Sequence, residues 1–241
     1  ELDKFLYRDT ITVNGKPMAD NYKTAECYNR DVIASVESPV NQLAGISVLK
    51  GNICEHGAVI KPSAATPSLM KHTGRAVVFE NIDDYKSRLD DPDLDIDETC
   101  VMVLKHVGPK GYPGMPEVGN MTIPKKLLEK GVHDMVRLSD GRMSGTGFGT
   151  VVLHVSPEAS AGGTIAIFKD GDMISLDVFK GTLNVDLSDT EIAERKKQLT
   201  APTDWATRGY VYLYQQHVEQ AHLGADLDFL KGGSGSEIHK D

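Results

Sequence analysis

Two short segments concentrate residue types that can do chemistry. Gly108-Pro-Lys-Gly-Tyr-Pro-Gly-Met-Pro-Glu117 carries so much Gly and Pro that its backbone path must be closely specified, and it ends on a carboxylate, Glu117. Ser139-Asp-Gly-Arg-Met-Ser-Gly-Thr-Gly-Phe-Gly149 sets Asp140, Arg142, Ser144 and Thr146 among four glycines. Each segment follows an apolar run that reads as a strand, and loops leaving the C-terminal ends of strands are where α/β and barrel proteins often bind ligands. Common loop chemistries do not explain the second segment. It lacks the Lys and the following helix of a phosphate-binding loop, and Arg142 stands where a Gly-x-Ser-x-Gly elbow needs glycine.

The elements that must hold these loops are mostly strands. From Leu43 onward, short Val- and Ile-rich runs bounded by Gly and Pro recur at 45–49, 58–60, 76–79, 101–104, 135–138, 151–155, 164–168 and 173–178. Helices are fewer. Ile82, Tyr85 and Leu89 share a helical face, Pro124 to Lys130 is stopped by Gly131, and Ser188-Asp-Thr-Glu191 has capping-box spacing before Ile192 to Leu199. Asp204 is placed to cap a longer helix running to Gly224. So many short strands with so few crossover helices predict a mixed α/β, strand-rich fold: a closed or nearly closed β-barrel with flanking helices, rather than a doubly wound sheet. The expected organisation is an irregular lead-in over 1–42, the barrel over 43–186, C-terminal helices over 187–230 and a Gly/Ser-rich flexible tail over 231–241.

Composition narrows the function. The 241 residues carry a formal charge of −9, the wrong sign for a general nucleic-acid binder, and no apolar stretch is long enough for a membrane span. The three cysteines, Cys27, Cys54 and Cys100, are far apart, which argues against a disulfide framework and favours a reducing cytoplasm. None has another Cys within four residues, so ligation of an iron–sulfur cluster by this trio is not expected.

The two loops, together with Gly57-Ala-Val-Ile-Lys-Pro62 and His154-Val-Ser-Pro-Glu-Ala159, resemble the dihydroxy-acid dehydratase and 6-phosphogluconate dehydratase family, and the four matches fall in family order. The segment from Trp205 to Leu230, and Tyr112 where the biosynthetic enzymes carry Gly, resemble the sugar-acid (pentonate) branch. Family members are roughly twice this length, and their cluster-binding cysteines and most metal ligands lie in an N-terminal domain that this sequence does not contain. The resemblance therefore implies a C-terminal domain, a barrel similar to the swivelling domain of aconitase-like dehydratases. It implies as partners the N-terminal domain of the same protein and a small sugar acid, with a homo-oligomer for the complete enzyme.

The implied reaction removes water from a 2,3-dihydroxy acid to give a 2-keto-3-deoxy acid. By resemblance, Ser144 is the base in its alkoxide form, Glu117 is a Mg²⁺ ligand, and the iron–sulfur cluster is held by the N-terminal domain. A serine hydroxyl is far too weak an acid to ionise unaided near neutrality, so positive charge must stand near it. Thr146 and Arg142 are the expected substrate contacts. Thr146 could equally bond its own turn, and Arg142 could pair with Asp140 to hold the loop. His154 reads as a satisfied core or rim histidine, Lys61 and Lys110 as solvated lysines beside glycine turns, and the acidic stretch 90–98 as a solvated linker. The chain alone is expected to be inactive, with an apolar or glycine-lined patch at the barrel mouth. Two rival readings stand: a branched-chain dihydroxy-acid dehydratase, or a non-catalytic barrel that binds small acids or serves as an assembly module.

Overall fold

The computed structural model describes residues 2–40, 45–145, 147–200 and 205–231. Two expected positions, Thr146 at the site and the helix cap Asp204, lie outside the described residues. The chain forms two compact units, Glu1–Ala44 and Gly45–Asp241. The first has a 3₁₀ turn at Asp3–Phe5 and the short helix α1 (Met18–Tyr22). Between them the Val13-Asn-Gly-Lys turn closes through Thr12 N–H donating to Lys16 O at 2.9 Å and Gly15 N–H to Thr12 O at 2.8 Å.

The second unit is built on eight strands: β1 (Ser47–Leu49), β2 (Gly57–Ile60), β3 (Lys71–Phe79), β4 (Val101–Leu104), β5 (Val136–Ser139), β6 (Val151–Ser156), β7 (Met173–Asp177) and β8 (Thr182–Val185). Their order is β1-β2-β6-β5-β4-β3-β7-β8. The central four, β3, β4, β5 and β6, run parallel, and antiparallel pairs flank them. The ends of the sheet meet at Lys50, which donates from its N–H to Gly181 O and accepts from Leu183 N–H, both at 2.9 Å. Asn52 extends this seam with its side chain, giving Nδ2–H to Val185 O at 2.9 Å and taking Val185 N–H on Oδ1 at 2.8 Å. A nearly closed barrel results.

Alternation along the parallel strands sorts the core into two clusters. Ala76, Val78, Val101, Val103, Val136, Leu138 and Val152 share one cluster with Leu176 and Leu183. Val77, Phe79, Met102, Leu104 and Met135 face the other way, toward Tyr85 of α2 (Ile82–Arg88) and Leu127 of α3 (Lys125–Leu128). Such strands, buried on both faces, read as unbroken apolar runs, which is why the sequence marks them so clearly. Helix α4 (Asp189–Lys197) starts on the anticipated capping box of Ser188 and Glu191.

Three local expectations need correction. Thr164–Ile167 is a buried 3₁₀ turn, not a strand. A uniformly apolar run has no period to separate the two, and here Ile165, Ile167 and Phe168 pack into the first core cluster while both edges of β3 are already taken by β4 and β7. The eighth strand is instead Thr182–Val185, four residues long with only Leu183 and Val185 buried, too short to stand out. The last long helix, α5, spans Gly209–His217 and stops well before Gly224, because Glu219 N–H is committed to Asp226 O and Val218 bridges Leu227. Gly224, at φ +94°, closes the 3₁₀ turn Ala221–Leu223.

Candidate active site

Leu104 and Ser139 are directly opposite each other at the ends of the parallel pair β4 and β5. The 108–117 loop and the 140–149 loop therefore leave the same edge of the sheet as neighbours. The segment after β6, also parallel, joins them there. Two buried carboxylates lock the three together. Asp140 accepts from Val107 N–H at 3.0 Å and Ala159 N–H at 2.8 Å. Glu158 accepts from Lys110 N–H at 2.9 Å, Gly111 N–H at 3.0 Å and Gln220 Nε2–H at 2.7 Å. Burial and the charge of Glu158 push the Asp140 carboxyl up to about 7, and burial also raises Glu158.

This lock explains the glycines of the first loop. A Cβ at position 108 would lie 2.6 Å from Glu158 Oε2, and one at position 111 would lie 2.5 Å from Ser160 Oγ. Gln215 of α5 adds a further tie by donating to Lys110 O at 3.2 Å. The C-terminal helical segment thus braces the loop that carries Glu117.

Arg142 joins the chemistry of the two loops. Its Nη2 is 3.3 Å from Glu117 Oε1 and its Nε donates to Met115 O at 3.1 Å. Both partners of the ion pair are open to solvent, at 49% and 43% side-chain exposure, so the pair orients Glu117 but contributes little to stability. Two residues on, Ser144 is gripped through its backbone neighbours. Lys61, just past β2, donates from Nζ to Ser144 O at 2.7 Å and to Gly145 O at 2.9 Å. Met143 N–H donates to His154 Nε2 at 2.8 Å. Nε2 of that ring is thus the acceptor, and burial and the Arg142 charge both lower the ring's pKa. The cavity beneath the loop, lined by Lys61, Asn120, Met143 and Leu153 among others, holds about 10 Å³. It admits one water at most. Tyr112 and Phe148 are exposed, one on each loop.

Several residue-level expectations change. Arg142 pairs with Glu117, not with Asp140, because the Asp140 carboxylate is buried and filled by two backbone N–H groups. Lys61 is a loop tether rather than a solvated lysine, and Lys110 contributes its backbone N–H and carbonyl to the brace. His154 is a satisfied rim histidine, as its place in the strand predicts, with an unanticipated backbone φ of +56°. Sequence reasoning misses Glu158, Gln215 and Gln220. Glu158 has a sequence signal, an acid in an otherwise apolar and small-residue stretch, whereas the two glutamines have none.

The metal-binding capacity of these residues is limited and specific. Glu117 is an accessible carboxylate suited to a hard cation, but no group of three or more His, Cys, Asp and Glu converges among the described residues. The cysteines do not suit a cluster. Cys54 and Cys100 are buried core residues, with the Cys54 thiol pushed up to about 12 by burial, and Cys27 lies in the other unit.

A nearly closed, mixed barrel thus presents an acid and a serine on adjacent glycine-rich loops at one edge of its sheet. Residues 31–225 match the family described as the C-terminal part of dihydroxy-acid/6-phosphogluconate dehydratases, and the chain belongs to that family. It is 56% identical over 236 residues to the L-arabinonate dehydratase of Rhizobium leguminosarum bv. trifolii, covering 98% of this chain and 41% of the relative. It is 48% identical to the 6-deoxy-6-sulfo-D-gluconate dehydratase of Pseudomonas putida, covering 97% of this chain and 41% of the relative. The dihydroxy-acid dehydratase of Acetivibrio thermocellus is 40% identical, with coverage of 95% and 41%. The chain thus spans about two-fifths of the length of these relatives. No helix among the described residues is long and apolar enough to cross a membrane.

Proposed function

We propose that this chain is the C-terminal domain of a sugar-acid dehydratase acting on an aldonic acid of the L-arabinonate kind, and that it contributes the base and one metal ligand to an active site completed by an N-terminal domain. The observation that carries this reading is the Arg142–Glu117 contact, which brings a cation-seeking carboxylate to the loop of Ser144. The higher identity to sugar-acid dehydratases than to a dihydroxy-acid dehydratase supports the substrate class.

In this reading the substrate lies across the outer faces of the two loops, where Tyr112 and Phe148 flank it. Ser144, ionised, takes the proton from C2. The C2–H electrons form a double bond to C3 as the C3–O bond breaks, the departing hydroxyl takes a proton from solvent and leaves as water, and Ser144 returns the C2 proton to solvent. The enol product then tautomerises to the 2-keto-3-deoxy acid. Arg142 holds Glu117 facing the site and adds positive charge near Ser144, and the Thr146 hydroxyl contacts substrate. Glu117 would hold a Mg²⁺ ion in the complete site, where the ion would supply Lewis acidity. Ligands for an iron–sulfur cluster come from outside this chain, since its cysteines do not fit the role, and the domain alone is inactive.

The test is to assay the full-length protein against L-arabinonate, other aldonic acids and the branched-chain dihydroxy acid, following keto-acid formation, alongside Mg²⁺ titration of Glu117→Gln. Preferred turnover of aldonic acids, with Mg²⁺ affinity lowered about 10-fold or more in the variant, is expected. Preference for the branched-chain acid would overturn the substrate class. Wild-type Mg²⁺ affinity in the variant would remove Glu117 from the metal site.

A further inference from the structure

We propose that Lys61 is a positioning residue for Ser144: it fixes the serine's backbone from beneath and supplies, from within this chain, a positive charge that favours the ionised hydroxyl. The inference rests on the reading of Ser144 as the base. Its starting point is the two-pronged contact of Lys61 Nζ with the carbonyls of Ser144 and Gly145, at 2.7 and 2.9 Å. A solvated surface lysine has no reason to commit two of its three donors to consecutive loop carbonyls.

The tether is anchored in the barrel, not in the loop. Ile60, the preceding residue, is in register with Val152 of β6, so the root of Lys61 is fixed by the sheet. From β6 itself His154 takes the N–H of Met143. The serine is therefore held on both sides, by an acceptor before it and a cation after it, although its loop is rich in glycine.

The charges around the hydroxyl can be counted element by element. Its own loop contributes Arg142, which is paired with Glu117 of the neighbouring loop. His154 on β6 presents Nε2 as an acceptor to Met143 N–H, and Asp140 is turned away into the core, toward Val107 and Ala159. Lys61 is thus a cation at Ser144 whose partners are carbonyls rather than a carboxylate. Within one residue a side-chain oxygen lies a few ångström from its own carbonyl, so Nζ stands within about 7 Å of the hydroxyl in any rotamer. A unit charge at about that distance, in a medium of effective dielectric about 20, moves the ionisation of the hydroxyl by about two pH units. The proton so released goes to solvent before the alkoxide takes the C2 proton.

The test uses the full-length, metal-loaded enzyme in Lys61→Gln, which keeps hydrogen-bond donors without charge, and in Lys61→Arg, which keeps the charge. The expected result for Lys61→Gln is a kcat/KM about 10- to 100-fold lower at neutral pH, with the acidic limb of the pH–rate profile displaced upward by about one to two pH units and activity regained at high pH. Lys61→Arg keeps the limb near its wild-type position. An unmoved limb in Lys61→Gln, whether activity is wild-type or uniformly depressed, would overturn the proposal. A second measurement does not depend on turnover: in Ser144→Cys, the pH dependence of alkylation at position 144 reads the local field directly. The thiol should ionise at lower pH when Lys61 is retained than when Lys61→Gln is added to the same background, and equal values would overturn the proposal. Full turnover in Ser144→Ala would defeat the assignment of the base instead, while leaving the thiol comparison to report on Lys61.

Discussion

The clearest energetic consequence of the loop lock concerns Asp140→Asn. In the wild-type chain this fully buried carboxyl is raised from 3.8 to about 7, by burial and by the charge of Glu158. An acid whose folded pKa exceeds its unfolded value keeps its proton in the native state while the unfolded chain has already lost it. Its contribution to stability is therefore complete below about pH 4 and drains away as the pH rises to about 7, by about 4 kcal/mol in all. The asparagine variant has no such slope. It has a different cost: an amide can accept from Val107 N–H or Ala159 N–H but turns its NH₂ toward the other, leaving a buried donor unsatisfied at about 1–3 kcal/mol. The variant should be the less stable protein near about pH 4.5, and the difference should shrink or reverse by about pH 8. Urea unfolding of both proteins across that range measures it. A stability difference that stays constant with pH would refute the reasoning.

Two further substitutions probe the frame around the site. Gly108→Ala puts a methyl 2.6 Å from Glu158 Oε2, so it should cost about 1–3 kcal/mol in urea unfolding and lower turnover of the complete enzyme, whereas wild-type stability would mean that the loop moves aside freely. Asn52→Ala removes both side-chain bonds at the barrel seam, and should cost about 1–3 kcal/mol and speed hydrogen exchange at the Val185 amide, with unchanged exchange contradicting the role of the seam.

The barrel is legible in the sequence because β3 to β6 are buried on both faces and so appear as apolar runs bounded by glycine and proline. That same uniformity misleads at Thr164–Ile167, where an apolar run without period folds into a 3₁₀ turn. The position of the two loops after strands can be read, but their adjacency cannot, since it depends on the parallel pairing of β4 with β5. Glu117 and Ser144 are identifiable from the resemblance of their motifs. The residues that hold them are less visible: Lys61 lies 83 positions from Ser144, and Gln220 lies 62 from Glu158. Contacts over such separations are made by the pairing of β2 with β6 and the return of the C-terminal helices, which no local pattern encodes. Arg142 shows the same limit, because nothing in the local sequence favours Glu117 over the nearer Asp140 until the burial of Asp140 is known.

On the proposed reading, Ser144 removes the proton from C2. Turnover of L-arabinonate by the full-length, metal-loaded enzyme carrying Ser144→Ala tests it most directly. A fall in kcat of about 10³-fold or more is expected, with folding and Mg²⁺ affinity retained. A kcat within about threefold of the wild-type value would contradict it.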